Sequence, residues 1–139
     1  MTLQKDAIVD IPPNRVKFFG TTGKMLLPCP ATVAAMIRRV PPNKVITTTL
    51  LCKELTEEFE VEGTCPVTTR KSLQAVAHDR SSGVAYWRVV KQNGGLMSFY
   101  PGGLESHAAL LQNEGIVIDT DGKEPRVHNL KELLANFSA

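Results

Sequence analysis

From Ala85 to Gly115 the chain has little freedom in how it can run. Val89 and Val90 are β-branched and stiff at χ1, so Ala85-Tyr86-Trp87-Arg88-Val89-Val90 reads as a strand. Asn93-Gly94-Gly95 tolerates positive φ and lets the chain turn back toward Phe99 and Tyr100, which predicts a hairpin. Pro101 stiffens the loop that follows, and Gly102-Gly103 lets it bend sharply. Leu104 to Glu114 reads as a helix, with Leu104, Ala108 and Leu111 at helical spacing and Gly115 at its stop. Aromatic side chains, Arg88 and a glycine-rich loop are thereby gathered into one unit, which is where a pocket would form.

Upstream, proline and threonine punctuate three further helices. Pro30 precedes one whose apolar face is Val33, Met36, Ile37 and Val40, and Pro41-Pro42 ends it, because proline lacks the donor and clashes with the preceding turn. Thr47-Thr48-Thr49 offers cap hydroxyls to a second, running through Leu50, Leu51, Leu55 and Phe59 to a stop at Gly63. The third spans about Thr69 to Ala77, burying Leu73 and Val76 and turning Arg70, Lys71 and Gln74 outward. Before them, Ala7-Ile8-Val9, Arg15 to Phe19 and Lys24 to Leu27 read as short strands, and Pro12-Pro13 precludes a helix in the arm. After Gly115, Ile116 to Ile118 and Pro125 to Val127 read as extended, and Asn129 as the cap of a last helix, Leu130 to Phe137. A helix, two short helices around a tight connector and a β-hairpin follow the order of a winged helix-turn-helix. The second short helix would enter a groove.

The 139 residues suffice for one domain with a modest core. Cys29, Cys52 and Cys65 form an odd, unpatterned set, which predicts reduced thiols and an intracellular, cytoplasmic setting. Met1 to Asp10 has no leader-like apolar run, and no stretch is long enough to span a membrane. His78, His107 and His128 lack metal-ligand spacing, and Gly102-Gly103 lacks the Lys-Ser/Thr partner of a phosphate loop, so neither metal nor cofactor is expected. A net charge of +2 permits a basic patch without demanding one.

Several segments, in shared order and spacing across roughly Ala31 to Ile116, resemble the C-terminal DNA-binding domain of the O6-alkylguanine-DNA alkyltransferases and their alkyltransferase-like relatives. The helix Val33 to Val40 followed by Pro-Pro-Asn-Lys-Val-Ile-Thr is similar to the family's helix followed by Pro-x-Gly-Lys-Val-x-Thr. The third helix matches the recognition helix, Ala85 to Val90 matches Pro-Cys-His-Arg-Val-Val, and Tyr100-Pro101-Gly102-Gly103-Leu104 through Glu114-Gly115 matches the pocket loop and final helix. The resemblance implies an α+β fold with a winged helix-turn-helix-like core over 31–118, preceded by an arm with short strands over 1–30 and followed by a helical extension over 119–139.

The departures bear on function. Repairing members use the cysteine of that motif as a thiolate nucleophile, activated by a histidine that a buried glutamate orients. Here Tyr86 and Trp87 stand at the cysteine and histidine positions and only the glutamate survives, as Glu114. A phenol with pKa near ~10 and no paired base is a poor alkyl acceptor. No catalytic residue is therefore expected, and the chain resembles the alkyltransferase-like proteins, which carry tryptophan in the cysteine slot, where Tyr86 is likewise a bulky aromatic, and bind alkylated bases without repairing them. Arg70 falls at the intercalating arginine, or Thr69 does if the alignment shifts by one; Lys71 adjoins them. Thr48 replaces a tyrosine that helps push out the base's phosphate, and Pro101 replaces a hydroxyl donor.

The expected contacts are thus Thr48, Thr69, Arg70 and Lys71 toward DNA. Tyr86, Trp87, Arg88, Phe99, Tyr100, Pro101, Gly102 and Gly103 would surround a base, and Glu114 would remain as a relay remnant. Each has a plain reading beside it: Trp87 as core, Arg88 as a tie between strand and helix, Arg70 and Lys71 as a solvated face. Double-stranded DNA, alkylated or plain, is the expected partner, with a repair protein receiving the complex. A protein-interaction module on the same fold, without DNA binding, is the alternative.

Overall fold

Proline and threonine set where the main helices begin. The computed structural model describes residues 5–135. Helices α2 (Pro30–Ile37) and α4 (Pro66–His78) each start with proline in the first turn, where the missing N–H costs nothing and the fixed φ suits the helix. Helix α3 (Thr48–Glu58) is capped by Thr47, whose hydroxyl accepts from the Leu50 N–H at 3.1 Å. Helix α5 (Gly103–Asn113) starts at the Gly102-Gly103 bend, where both glycines have positive φ, 81° and 73°.

The extended segments are short. β1 (Ala7–Asp10) pairs antiparallel with β2 (Lys24–Leu27), and β2 pairs parallel with β4 (Gly63–Thr64). β3 (Ile46–Thr47) pairs parallel with β5 (Val89–Val90), and β6 (Ile118–Asp119) antiparallel with β7 (Arg126–Val127). The result is an α+β fold in which small sheets bracket helices.

Several expectations fail locally. Arg15 to Phe19 is not a strand: Pro13–Arg15 forms a 3-10 turn that leads into helix α1 (Val16–Phe19). Pro12 and Pro13 launch this helical segment rather than preclude it, and Gly20, at φ 74°, closes it by donating to the Val16 carbonyl at 2.8 Å. The hairpin is also absent among the described residues. Lys91 and Gly95 close a turn on themselves (2.9 Å), and β5 instead takes β3 as its partner. Finally, Asn129 sits in the left-handed region at φ 55° and makes no side-chain cap, and α6 (Leu130–Leu133) is one turn long. It stops because the Val45 backbone binds the Leu133 carbonyl and the Ala135 N–H, each at 2.8 Å, which pulls Leu134 into extended geometry. Phe137 lies outside the described residues.

The main core joins α2, α3 and α4 through Val33, Ile37, Leu51, Leu55 and Leu73, all fully buried. At about 1.5–3 kcal/mol for each fully buried aliphatic side chain, this layer is a principal source of stability. A second cluster, Val45, Val90, Leu96, Leu111, Ile116 and Val127, lies under Leu130, Leu133 and Leu134. Helix α4 therefore has one side fixed against α2, while Arg70, Lys71 and Gln74 stay exposed.

Candidate functional site

The turn at Tyr86 decides the geometry. Ala85 (φ −78°, ψ 64°) bends the chain, and Tyr86–Arg88 forms a 3-10 turn, with Arg88 N–H on the Ala85 carbonyl at 3.1 Å. Strand alternation would have put Tyr86 and Trp87 on opposite faces. In the turn their rings meet edge to face at 5.3 Å, and both line the same cleft. The cleft, about 540 Å³, is bounded by Tyr86, Trp87, Pro101, Val84 and the C-terminal end of α4 at Ala77 and His78.

Glu114 holds this turn from behind. Its Oε2 accepts from the Trp87 indole N–H at 2.6 Å, both its oxygens lie 3.1 Å from Arg88 Nε, and Oε1 accepts from the Asn43 N–H at 3.0 Å. Arg88 also donates to the Val40 carbonyl at 2.8 Å. The side chains of Arg88 and Glu114 are only 15% and 14% exposed. Arg88 is therefore a tie between the turn, α5 and the end of α2, and it does not line the cleft. Charge-assisted bonds of this kind are worth about 1.5–3 kcal/mol each.

The remaining pocket residues divide. Pro101 lines the cleft, and half-buried Phe99 packs against the main core. Tyr100 is 2% exposed, donates its hydroxyl to the Val89 carbonyl at 3.0 Å, and supports Tyr86 edge-on at 4.9 Å. It is core beneath the site instead of a wall of it. Gly102 and Gly103 shape the bend without lining the cleft: a Cβ on Gly102 would lie 2.0 Å from Ser106 Oγ.

His107 has no place in the sequence-based site, yet it is fully buried beneath it. Its Nδ1 accepts from the Met97 N–H at 2.9 Å and its Nε2–H donates to the Trp87 carbonyl at 2.8 Å. Burial lowers its pKa to about 4, although the Trp87 carbonyl favours the proton, so the ring is neutral near pH 7. The available signal was position: His107, Leu111 and Glu114 are spaced i, i+4, i+7 on one helical face. That face points inward, and Leu104, on the same side in the first turn, is 37% exposed.

Tyr86 is half-buried, and burial raises its pKa above the usual phenol value. Its hydroxyl has no hydrogen-bond partner among the described residues. A less acidic phenol with no base hydrogen-bonded to it is a poor nucleophile, but its ring is a ready stacking surface.

The second group lies toward the N-terminal ends of α3 and α4. Thr48 opens α3 and, with Thr69 and Arg70, lines another cavity of about 350 Å³. Thr69 is buried, its hydroxyl donating to the Cys65 carbonyl at 2.8 Å, so it offers no free donor outward. Arg70 and Lys71 are exposed and make no ion pair among the described residues. Nearby, burial raises the Cys52 thiol. Burial also opposes ionisation of Cys65, but bonds from Thr68, Arg15 and the Val67 backbone outweigh it and hold that thiol below its ordinary value. Among the described residues no three His, Cys, Asp or Glu side chains gather as metal ligands, and no helix is long and apolar enough to cross a membrane.

No family model and no curated protein matches the sequence. The fold has a clear counterpart in the crystal structure of the S. pombe alkyltransferase-like protein in complex with DNA. The similarity has a TM-score of 0.59 at 21% identity and covers 77% of this chain and 94% of that one. The α+β architecture implied by the sequence resemblance is thus the one observed.

Proposed function

We propose that this protein binds double-stranded DNA without transferring an alkyl group, and that it receives an extruded guanine, alkylated in the preferred substrate, against Tyr86 and Trp87. The observation that carries the reading is the pair of edge-to-face rings lining one cleft at the C-terminal end of α4, the helix whose N-terminal half presents Arg70 and Lys71. The similarity to a protein crystallised with DNA supports the same partner. Stacking on an aromatic side chain is worth about 1–3 kcal/mol per base, which offsets part of the few kcal/mol needed to unstack it. Arg70, outward where Thr69 is buried, is the side chain suited to fill the gap left in the duplex. Trp87 stands where a catalytic histidine would act, but its indole N–H is held by Glu114 and cannot take a proton. A bound but unrepaired base would require a further repair protein, inside the cell, to complete the process.

The test is titration of labelled plain and O6-alkylguanine duplexes. Tyr86→Ala should lower affinity for the alkylated duplex by roughly 1–3 kcal/mol and leave the plain duplex nearly unchanged. The intact mass of the wild type should be unaltered by the substrate. Equal affinity of the wild type for both duplexes would remove the base pocket, and no binding to either would favour a protein-interaction role.

A further inference from the structure

We propose that the groove between α1 and the α3–α4 pair seats the sugar–phosphate backbone of the bound strand, with Phe18 packed on a deoxyribose face. This rests on the DNA-binding reading above and adds an element, α1, to it. Phe18 is 68% exposed, whereas its neighbour Phe19 is half-buried and meets it edge to face at 5.0 Å. Phe19 is anchored over Gly63, where a Cβ would come within 2.3 Å of the ring, and Gly20 closes the helix behind it. The exposed ring is therefore held on a fixed support at the rim of the 350 Å³ cavity.

The lining of that cavity names the occupant. Its inner surface is apolar at Phe19, Leu73 and Met97, while Thr48 and the cations Lys53 and Arg70 belong to the same lining. Among the described residues no carboxylate lines it, and neither cation makes an ion pair. Lys53 is exposed on this lining and available to an anion, beside an apolar floor. A polynucleotide backbone alternates phosphate with the apolar faces of its sugars, so it meets cation, hydroxyl and aromatic groups together. The groove is also continuous with the proposed interface, since Thr48 and Arg70 belong to both.

Fluorescence anisotropy with an end-labelled plain duplex, repeated over a range of salt, tests this. Phe18→Ala should bind about tenfold more weakly, the effect of losing one well-packed aromatic contact, with an unchanged slope of log affinity against log salt. Lys53→Ala should also weaken binding, but should reduce that slope by about one. Phe18→Leu keeps an apolar group over Phe19 and should lie between Phe18→Ala and wild type, which guards against a folding defect in the alanine variant. If both Phe18 variants bind like wild type while Arg70→Ala is weakened, the groove has another occupant, such as an apolar protein side chain, and the inference falls while the DNA reading stands. If the wild type binds no duplex, both fall.

Discussion

Around Glu114 the polar groups are bound inside the protein; around Arg70 the cations are left unpaired. Glu114 takes bonds from Trp87, Arg88 and the Asn43 backbone, and Arg88 reaches on to Val40. Arg70 and Lys71, on α4, and Lys53, on α3, have no ion-pair partner among the described residues. The difference separates two uses of charge. A paired, largely buried ion holds a turn in one shape, because breaking it strands a charge away from water. A solvated cation adds almost nothing to the fold and remains available to an anion arriving from outside.

The sharpest way to break this contrast is to remove its centre. Glu114→Ala should destabilise the protein by about 3–5 kcal/mol, read from urea denaturation, because Arg88 loses its counter-charge while still largely buried. Glu114→Gln keeps an acceptor for Trp87 and should lose less. A midpoint unchanged in the alanine variant would show that the cluster does not hold the turn.

Acid should act on the same side of the contrast. The His107 pKa falls from 6.5 to about 4 on folding, so the unfolded chain binds the extra proton more readily. Its contribution is complete above pH 6.5 and is lost progressively as pH falls to about 4. The slope there should approach 1.4 kcal/mol per pH unit, for a total of about 3 kcal/mol. His107→Gln should flatten that part of the stability profile, and a profile identical to wild type would assign the acid loss to other groups.

The smallest effects on the fold belong to α4. Arg70→Ala and Lys71→Ala should each change stability by less than about 0.5 kcal/mol. Each should nevertheless reduce the salt slope of duplex binding by about one if its contact is to phosphate. Wild-type binding by both would leave α4 a scaffold helix and move the interface elsewhere.

The sequence made the helices legible because their signals are local, such as Pro30 at the start of α2 and the Thr47 hydroxyl on Leu50, although α4 begins at Pro66 and not at the expected Thr69. It did not reveal β3, β4 or the partner of β5, since two-residue strands have no periodicity to read and their parallel partners are distant in the chain. The same limit produced the mistaken hairpin. Asn93-Gly94-Gly95 did form a turn, but nothing local says that Val89 and Val90 pair with Ile46 and Thr47. Strand propensity also misled at Val16, Phe18 and Phe19, where the preceding prolines and the Gly20 stop outweighed it. At the site, the sequence reading and the resemblance grouped Tyr86, Trp87 and Pro101 in one unit, although a strand would have set Tyr86 and Trp87 on opposite faces. They could not reveal that Tyr100 lies underneath or that His107 binds the Trp87 carbonyl, because both depend on how α5 is rotated against the turn.

The edge-to-face rings have a spectroscopic consequence. The chain contains one tryptophan and two tyrosines. Trp87 touches Tyr86, and Tyr86 touches Tyr100, so all three form one connected chromophore cluster. Phenylalanine absorbs weakly, so near-ultraviolet absorption and emission come almost entirely from the floor and wall of a single cleft. Light absorbed by either tyrosine lies within energy-transfer range of the indole. The protein's intrinsic fluorescence is therefore a local probe of Tyr86 and its surroundings, and events at Phe18, Arg70 or the C-terminal strands are dark unless they move that cluster.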